Sequence, residues 1–177
     1  SLNLNCNFYL HIHSEKMLAL LFDMNMLWEE YILVRLKQVA QQKNVQVYGQ
    51  NSKRFWKTIS IRPDLVIEHG EGKHKQVFVI DTKWKNIDYS EPSTHDLRQM
   101  YVYNEYWGSL KAMLLYPSNI TSIQNNTDFI AFEDNRNSVT NHACSLGKIS
   151  IFKEDTDVLN DQIGVDILGW FIGSTFD

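Results

Sequence analysis

Val77-Phe78-Val79-Ile80-Asp81-Thr82-Lys83, preceded by Arg62-Pro63-Asp64, is the part of the sequence on which the fold turns. Four consecutive apolar residues predict a central strand over 76–84, covered on both faces, because a strand with one wet face alternates apolar with polar. Upstream, Ile59, Ile61, Leu65 and Ile67 give period-two apolar positions and predict extended chain over 55–68. Between them, His69-Gly70-Glu71-Gly72-Lys73 has the composition of a hairpin turn. Turning about position 72 sets Asp64 opposite residue 80 or 81. Residues i and i+2 of a strand share a face, so Asp81 and Lys83 point the same way where the central strand emerges. The reading therefore brings Asp64, Asp81 and Lys83 together.

The flanking sequence supplies the other layers. Leu27, Tyr31, Val34 and Gln38 recur at helical spacing, without Gly or Pro, and predict a helix over 23–41. Residues 45–48 read as a strand closed by Gly49. A polar loop over 85–92 leads to a helix reaching about Trp107, capped by Ser93 or Thr94, with Asp96 placed for a capping box. Residues 112–116 read as a short buried strand ended by Pro117, and 118–128 as a polar loop. Two further strands, 129–133 and 145–152, precede a last helix over 155–171, which Gly164 and Gly169 weaken. Residues 2–13 alternate weakly, as a strand or a linker. The expectation is a single α/β domain over 1–177, a mixed central sheet flanked by helices, with its core over about 20–117 and additions over 118–177. The opening at Ser1 suggests part of a longer chain.

Charge is unevenly distributed. The chain carries −4, yet residues 51–85 hold eight bases against four acids, a local +4, while acids gather near the C-terminus. A local basic stretch can engage phosphates even on an acidic protein; a solvated hairpin surface explains the same charges equally well. Cys6 and Cys144 are far apart and have no zinc or redox spacing, which suits a reduced, cytoplasmic compartment. His11 and His13 with Cys6 lack a fourth zinc ligand. No apolar run approaches the roughly 20 residues of a membrane span, and no Gly-rich phosphate loop is present to bind GTP or ATP.

Two carboxylates brought together at strand ends repel unless a cation lies between them. Oxygen ligands of this kind suit Mg²⁺, which takes few protein carboxylates and keeps several waters, and the backbone carbonyl of Thr82 can add to the set. A neighbouring lysine can orient the attacking water and steady a phosphate, which is the arrangement of metal-assisted phosphodiester hydrolysis. The Asp-x-Lys triplet alone is weak, since a strand-end acid paired with Lys83 or Lys85 produces it too.

Taken together, Arg62-Pro63-Asp64 and Val79-Ile80-Asp81-Thr82-Lys83 resemble the signature of the PD-(D/E)xK nucleases, with their restriction-endonuclease-like core. Leu27-Trp28-Glu29-Glu30-Tyr31 resembles their first core helix. Residues 96–103, which contain Gln99 and Tyr103, resemble their Q-x-x-x-Y helix. With Leu114-Leu115-Tyr116-Pro117, the set resembles the nuclease subunit of modified-cytosine restriction systems, the McrC family, over roughly 20–117. The resemblance implies that Asp64, Asp81, the Thr82 carbonyl and Glu29 hold Mg²⁺, with Mn²⁺ able to substitute. Glu29 is preferred to Glu30 because it follows the aromatic position. It implies that Lys83 serves the water and the phosphate, and that Gln99 and Tyr103, four apart on one helix face, line the DNA side. It implies double-stranded DNA as substrate and an AAA+ GTPase subunit as partner. Lys53, Arg54, Lys57, Lys85 and Arg98 are the candidate DNA contacts. The alternative expectation is a catalytically silent DNA-binding or motor-docking module of the same fold.

Overall fold

Side-chain alternation fixes the layers. In β6 (Leu65–His69), β7 (Gln76–Thr82) and β8 (Lys111–Ser118), the buried side chains divide between two faces. Leu65, Ile67, Phe78, Ile80, Met113 and Leu115 join one apolar cluster, and Val66, Val79, Ala112, Leu114 and Tyr116 join another. Helices α1 (Met24–Ala40) and α3 (Ile163–Ile172) cover the first face, and α2 (Thr94–Trp107) covers the second. This computed structural model describes residues 7–12, 15–20, 23–41, 44–85, 91–109, 111–123, 127–129 and 143–173, the first two segments by backbone alone.

The main sheet also contains β3 (Val45–Gly49), β9 (Ser122–Ile123), β10 (Thr127–Asp128) and β11 (Ala143–Ser150). Its order is β10-β11-β8-β7-β6-β3, with β9 also paired to β11. Strands β3, β6 and β7 run antiparallel to their neighbours, whereas β7, β8 and β11 run parallel. A parallel neighbour needs a long crossover, and α2 supplies it between β7 and β8. The expected mixed α/β sheet flanked by helices is the architecture observed.

Several local expectations are corrected. The continuous extended segment over 55–68 is two elements. Among the described residues, strands β4 (Lys53–Trp56) and β5 (Ile59–Ile61) pair only with each other, and β6 begins afresh at Leu65. The period-two pattern ran across the break because Ile61 and Leu65 are an even number of residues apart. In α1, the buried side chains are Trp28, Ile32, Leu33, Leu36 and Ala40, while Leu27 and Val34 are exposed. The helix carries two adjacent apolar stripes, and the one containing Trp28 faces the sheet. The last helix is shorter than 155–171, since residues up to Gln162 form turns. The loop expected over 118–128 includes β9 and β10. The strand expected over 129–133 lies, beyond Phe129, outside the described residues. Before α1, β1 (Asn7–Ile12) and β2 (Glu15–Leu20) form an antiparallel hairpin. No helix among the described residues is long and apolar enough to cross a membrane.

Gly164 has a structural reason for being small. A Cβ at this position would lie 2.5 Å from the carbonyl oxygen of Arg35, so glycine allows α3 to approach the backbone of α1. On propensity alone, Gly→Ala in a helix adds about 1 kcal/mol of stability. Here we expect the opposite sign. Gly164→Ala should lower the thermal midpoint, with overpacking of this kind costing about 1–3 kcal/mol. A midpoint equal to or above wild type would show that α1 and α3 do not approach so closely.

Candidate functional site

The site lies where one ladder stops and its neighbour continues. The β6–β7 ladder ends with Leu65 opposite Ile80. The β7–β8 ladder runs on through Asp81–Leu114 and Thr82–Leu115. Beyond the end of β6, the Thr82 N–H meets a side chain in place of a strand. Asp64 Oδ2 accepts from Thr82 N at 2.7 Å and from Thr82 Oγ1 at 2.8 Å. The Asp64 carbonyl accepts from Gln50 N at 2.8 Å. On the α2 side, the Tyr103 hydroxyl donates to the Arg62 carbonyl at 2.9 Å and accepts from Gln99 Nε2 at 2.8 Å. The chain entering Asp64 is thus held from both sides.

Asp81 is 2% exposed. Burial and the charge of Asp64 push its carboxyl up to about 6. Lys83 Nζ lies 2.5 Å from Asp81 Oδ2 and is the hydrogen-bonding counter-ion of that buried oxygen. Burial acts against the Lys83 ammonium, yet Asp81, Asp96 and Asp64 outweigh it and raise its pKa above the usual lysine value. Buried Asp96 lies 3.8 Å from Lys83 Nζ and 2.9 Å from Lys85 Nζ. Burial opposes ionisation of Asp96, but hydrogen bonds from Lys85 and Ser93 prevail and lower its pKa. Burial and the charge of Asp81 push Tyr103 up to about 12, so its hydroxyl remains a donor.

The structure brings Asp64, Asp81, Thr82 and Lys83 together. Glu29 approaches through Gln50, whose Nε2 donates to Glu29 Oε1 at 3.0 Å. Burial raises the Glu29 carboxyl, the Gln50 hydrogen bond opposes this, and the charge of Asp64 adds to the rise. Glu30 is exposed. Among the described residues, no three His, Cys, Asp or Glu side chains form a group able to hold a metal ion. Two carboxylates, one of them buried and disfavoured as an anion by the charge of the other, nevertheless fit a hard cation that takes its remaining ligands from water and phosphate. Gln99 and Tyr103 share a face of α2 and bond to each other. Lys53, Arg54 and Lys57 lie on and beside the β4–β5 hairpin, Arg98 is exposed on α2, and Lys85 pairs with Asp96.

Three features were missed from the sequence. Thr82 acts through its N–H and hydroxyl, which orient Asp64. Gln50 links Glu29 to the Asp64 backbone and adopts a φ of 53°, and nothing in its sequence context marks it. Asp96 satisfies its capping role, its N–H donating to Ser93 Oγ at 3.1 Å, and that local explanation hid the carboxylate's contact with two lysines.

Residues 4–117 match the protein family described as McrBC 5-methylcytosine restriction system component. No curated protein matches the chain. Among solved structures, the chain is similar to one in the refined half-complex from the tetradecameric assembly of Thermococcus gammatolerans McrB AAA+ hexamers with bound McrC. The TM-score is 0.58 at 21% identity, over 87% of this chain and 34% of that one. At this identity the likeness shows the fold, and the chain spans about a third of the protein it matches.

The raised pKa of Asp81 has a measurable consequence. Unfolded, the carboxyl titrates near 3.8; folded, near 6. Between those values the folded chain retains a proton that the unfolded chain has released. Stability is therefore lost as pH rises through that window, and it stays lost above it. Two units correspond to at most about 3 kcal/mol. In chelator, Asp81→Asn should melt above wild type at pH 8, and the gap should close towards pH 4. If the variant melts at or below wild type at pH 8, Asp81 is not the strained group.

Proposed function

The chain belongs to the family of McrBC 5-methylcytosine restriction system components, and from that membership and the site geometry we propose that it is a metal-dependent DNA endonuclease domain. The observation that carries this reading is the meeting of Asp64 and Asp81 at the open end of β7, with Lys83 on the same face. Asp64, Asp81 and the Thr82 carbonyl would hold Mg²⁺ or Mn²⁺, with Glu29 beside them. Such a cation supplies Lewis-acid activation of water and phosphate. Thr82 fixes the Asp64 carboxylate, and Asp96 restrains the Lys83 ammonium. Lys83 is the cation best placed to leave Asp81 for a phosphate oxygen and to steady the attacking water. The products would carry a 5′-phosphate and a 3′-hydroxyl. By analogy with the similar structure, of McrB AAA+ hexamers with bound McrC, the partner would be an AAA+ GTPase.

An electrostatic group that acts mainly in the transition state lowers kcat more than it weakens ground-state binding when removed. Lys83→Ala should therefore lose about 10²–10³-fold in cleavage rate while retaining DNA affinity, in an assay that includes the AAA+ partner. Cleavage at the wild-type rate would remove the site from consideration. Absence of cleavage by wild type under the same conditions would favour the silent docking module.

DNA should also be held by Arg54 and Lys57, while Lys53 is bonded to the Tyr106 carbonyl. Each phosphate neutralised contributes about −0.9 to the slope of log K against log salt. The double alanine variant at Arg54 and Lys57 should bind more weakly and with a shallower slope. An unchanged slope would place the DNA elsewhere.

A further inference from the structure

The β4–β5 hairpin pairs with no strand of the main sheet, yet it is anchored. Lys53 Nζ donates to the Tyr106 carbonyl at 2.6 Å and sits 4.8 Å from the centre of the Trp107 ring. Phe55 packs on Tyr106 with ring centroids 5.5 Å apart. Lys53 and Phe55 therefore secure β4 to α2. The register shifts between Arg54, which pairs with Ser60, and Trp56, which pairs with Ile59, so strict alternation does not hold across β4; Arg54 and Trp56 are both exposed, Trp56 by 58%. Lys57 follows with a φ of 49° and places its ammonium 4.6 Å from the centre of the Trp56 ring.

An exposed tryptophan on an anchored turn calls for an occupant, and the charge around it narrows the choice. Residues 53–62 hold four bases, Lys53, Arg54, Lys57 and Arg62, and no acid. Aromatic rings interleaved with bases and free of acids form the surface that takes single-stranded nucleic acid: rings stack on bases, and cations follow the phosphates. The hairpin is also continuous with the candidate site. A cavity of about 230 Å³ lined by Phe55, Ile61, Arg98, Gln99 and Tyr103 leads from it towards the Tyr103–Arg62 contact beside Asp64. The five steps from Ile59 to Asp64 span at most about 17 Å when extended, equivalent to about five nucleotides if they stay stacked at about 3.4 Å each.

We propose that the β4–β5 hairpin is a platform for unpaired DNA beside the cut site, Trp56 stacking on an exposed base while Lys57, beside its ring, meets the adjoining phosphate. The proposal rests on the reading of DNA as substrate. A base inside a duplex already has its faces stacked on its neighbours, so the platform acts on a strand that has been opened, frayed or flipped.

The test is fluorescence anisotropy, in chelator, on a labelled strand, its fully paired duplex, and the duplex with a short unpaired bubble. Trp56→Ala should lose about 5- to 150-fold in affinity for the strand and the bubble, the range for one stacked base. The paired duplex should change little, Trp56→Phe should retain most of the binding, and melting should match wild type. Equal losses on all three DNAs, or none on any, overturn the platform while leaving the nuclease reading intact. Unchanged DNA binding with weakened association to the AAA+ partner also overturns it and makes the hairpin a protein-docking surface. If wild type binds none of the DNAs, the platform fails, and the nuclease reading is decided separately by the cleavage assay with metal and the AAA+ partner.

Discussion

The antiparallel ladder between β6 and β7 stops one pair short of Asp64 and Asp81, and the chemistry of the molecule follows from that stop. A carboxylate taken out of water and set beside another is costly unless hydrogen bonds or counter-charges compensate. Where β6 ends, the Thr82 N–H has no strand partner, and the Asp64 carboxylate takes that place. One arrangement thus satisfies an otherwise orphaned backbone donor and aims Asp64 at Asp81. The parallel partner β8 carries β7 past this point, so Asp81 emerges from a fully covered strand.

Covering both faces makes that emergence possible. The α1–α3 layer needs the close approach at Gly164, and α2 needs the length of the β7–β8 crossover. Because α2 lies over the face that bears Val79 and Asp81, it also delivers Asp96 to Lys83 and Lys85, and Tyr103 to the chain ahead of Asp64. Packing and electrostatics share elements here: the helix that buries Met100 and Trp107 also positions the polar residues around the site.

The central strand and the pairing of Asp64 with Asp81 were legible because each rests on a local rule: a continuous apolar run, a turn composition, and a count of residues about the turn. The observed register, Leu65 opposite Ile80, follows from that count. What was not legible depends on tertiary choices. The buried stripe of α1 could not be selected from spacing alone, since both stripes have helical periodicity. The break between β5 and β6 was hidden because the alternation stays in phase across it. Gly164 read as a weak helix residue, although its role lies in a contact with another helix. Gln50 and the side chain of Thr82 act through hydrogen bonds to elements distant in sequence, and no periodicity encodes those.

The two carboxylates of the site are not equivalent, and the difference bears on how a cation would enter. Asp64 Oδ2 already accepts two hydrogen bonds from Thr82. Asp81 is deeper, and among the described residues its charge is balanced by the Lys83 ammonium alone at 2.5 Å. The larger electrostatic relief from an arriving divalent ion would therefore fall on Asp81, the group strained by burial and by its neighbour. Lys83 is the counter-ion of Asp81, so a cation bound by Asp81 would have to displace the ammonium. An ammonium displaced from Asp81 remains within the field of Asp96 and has three donors to offer a phosphate. Asp96 would keep that charge at the mouth of the site without neutralising it, because Lys85 takes the shorter contact, 2.9 Å against 3.8 Å. In the proposed reaction, Asp81 sets the need for the cation, and Asp96 determines where the freed lysine goes.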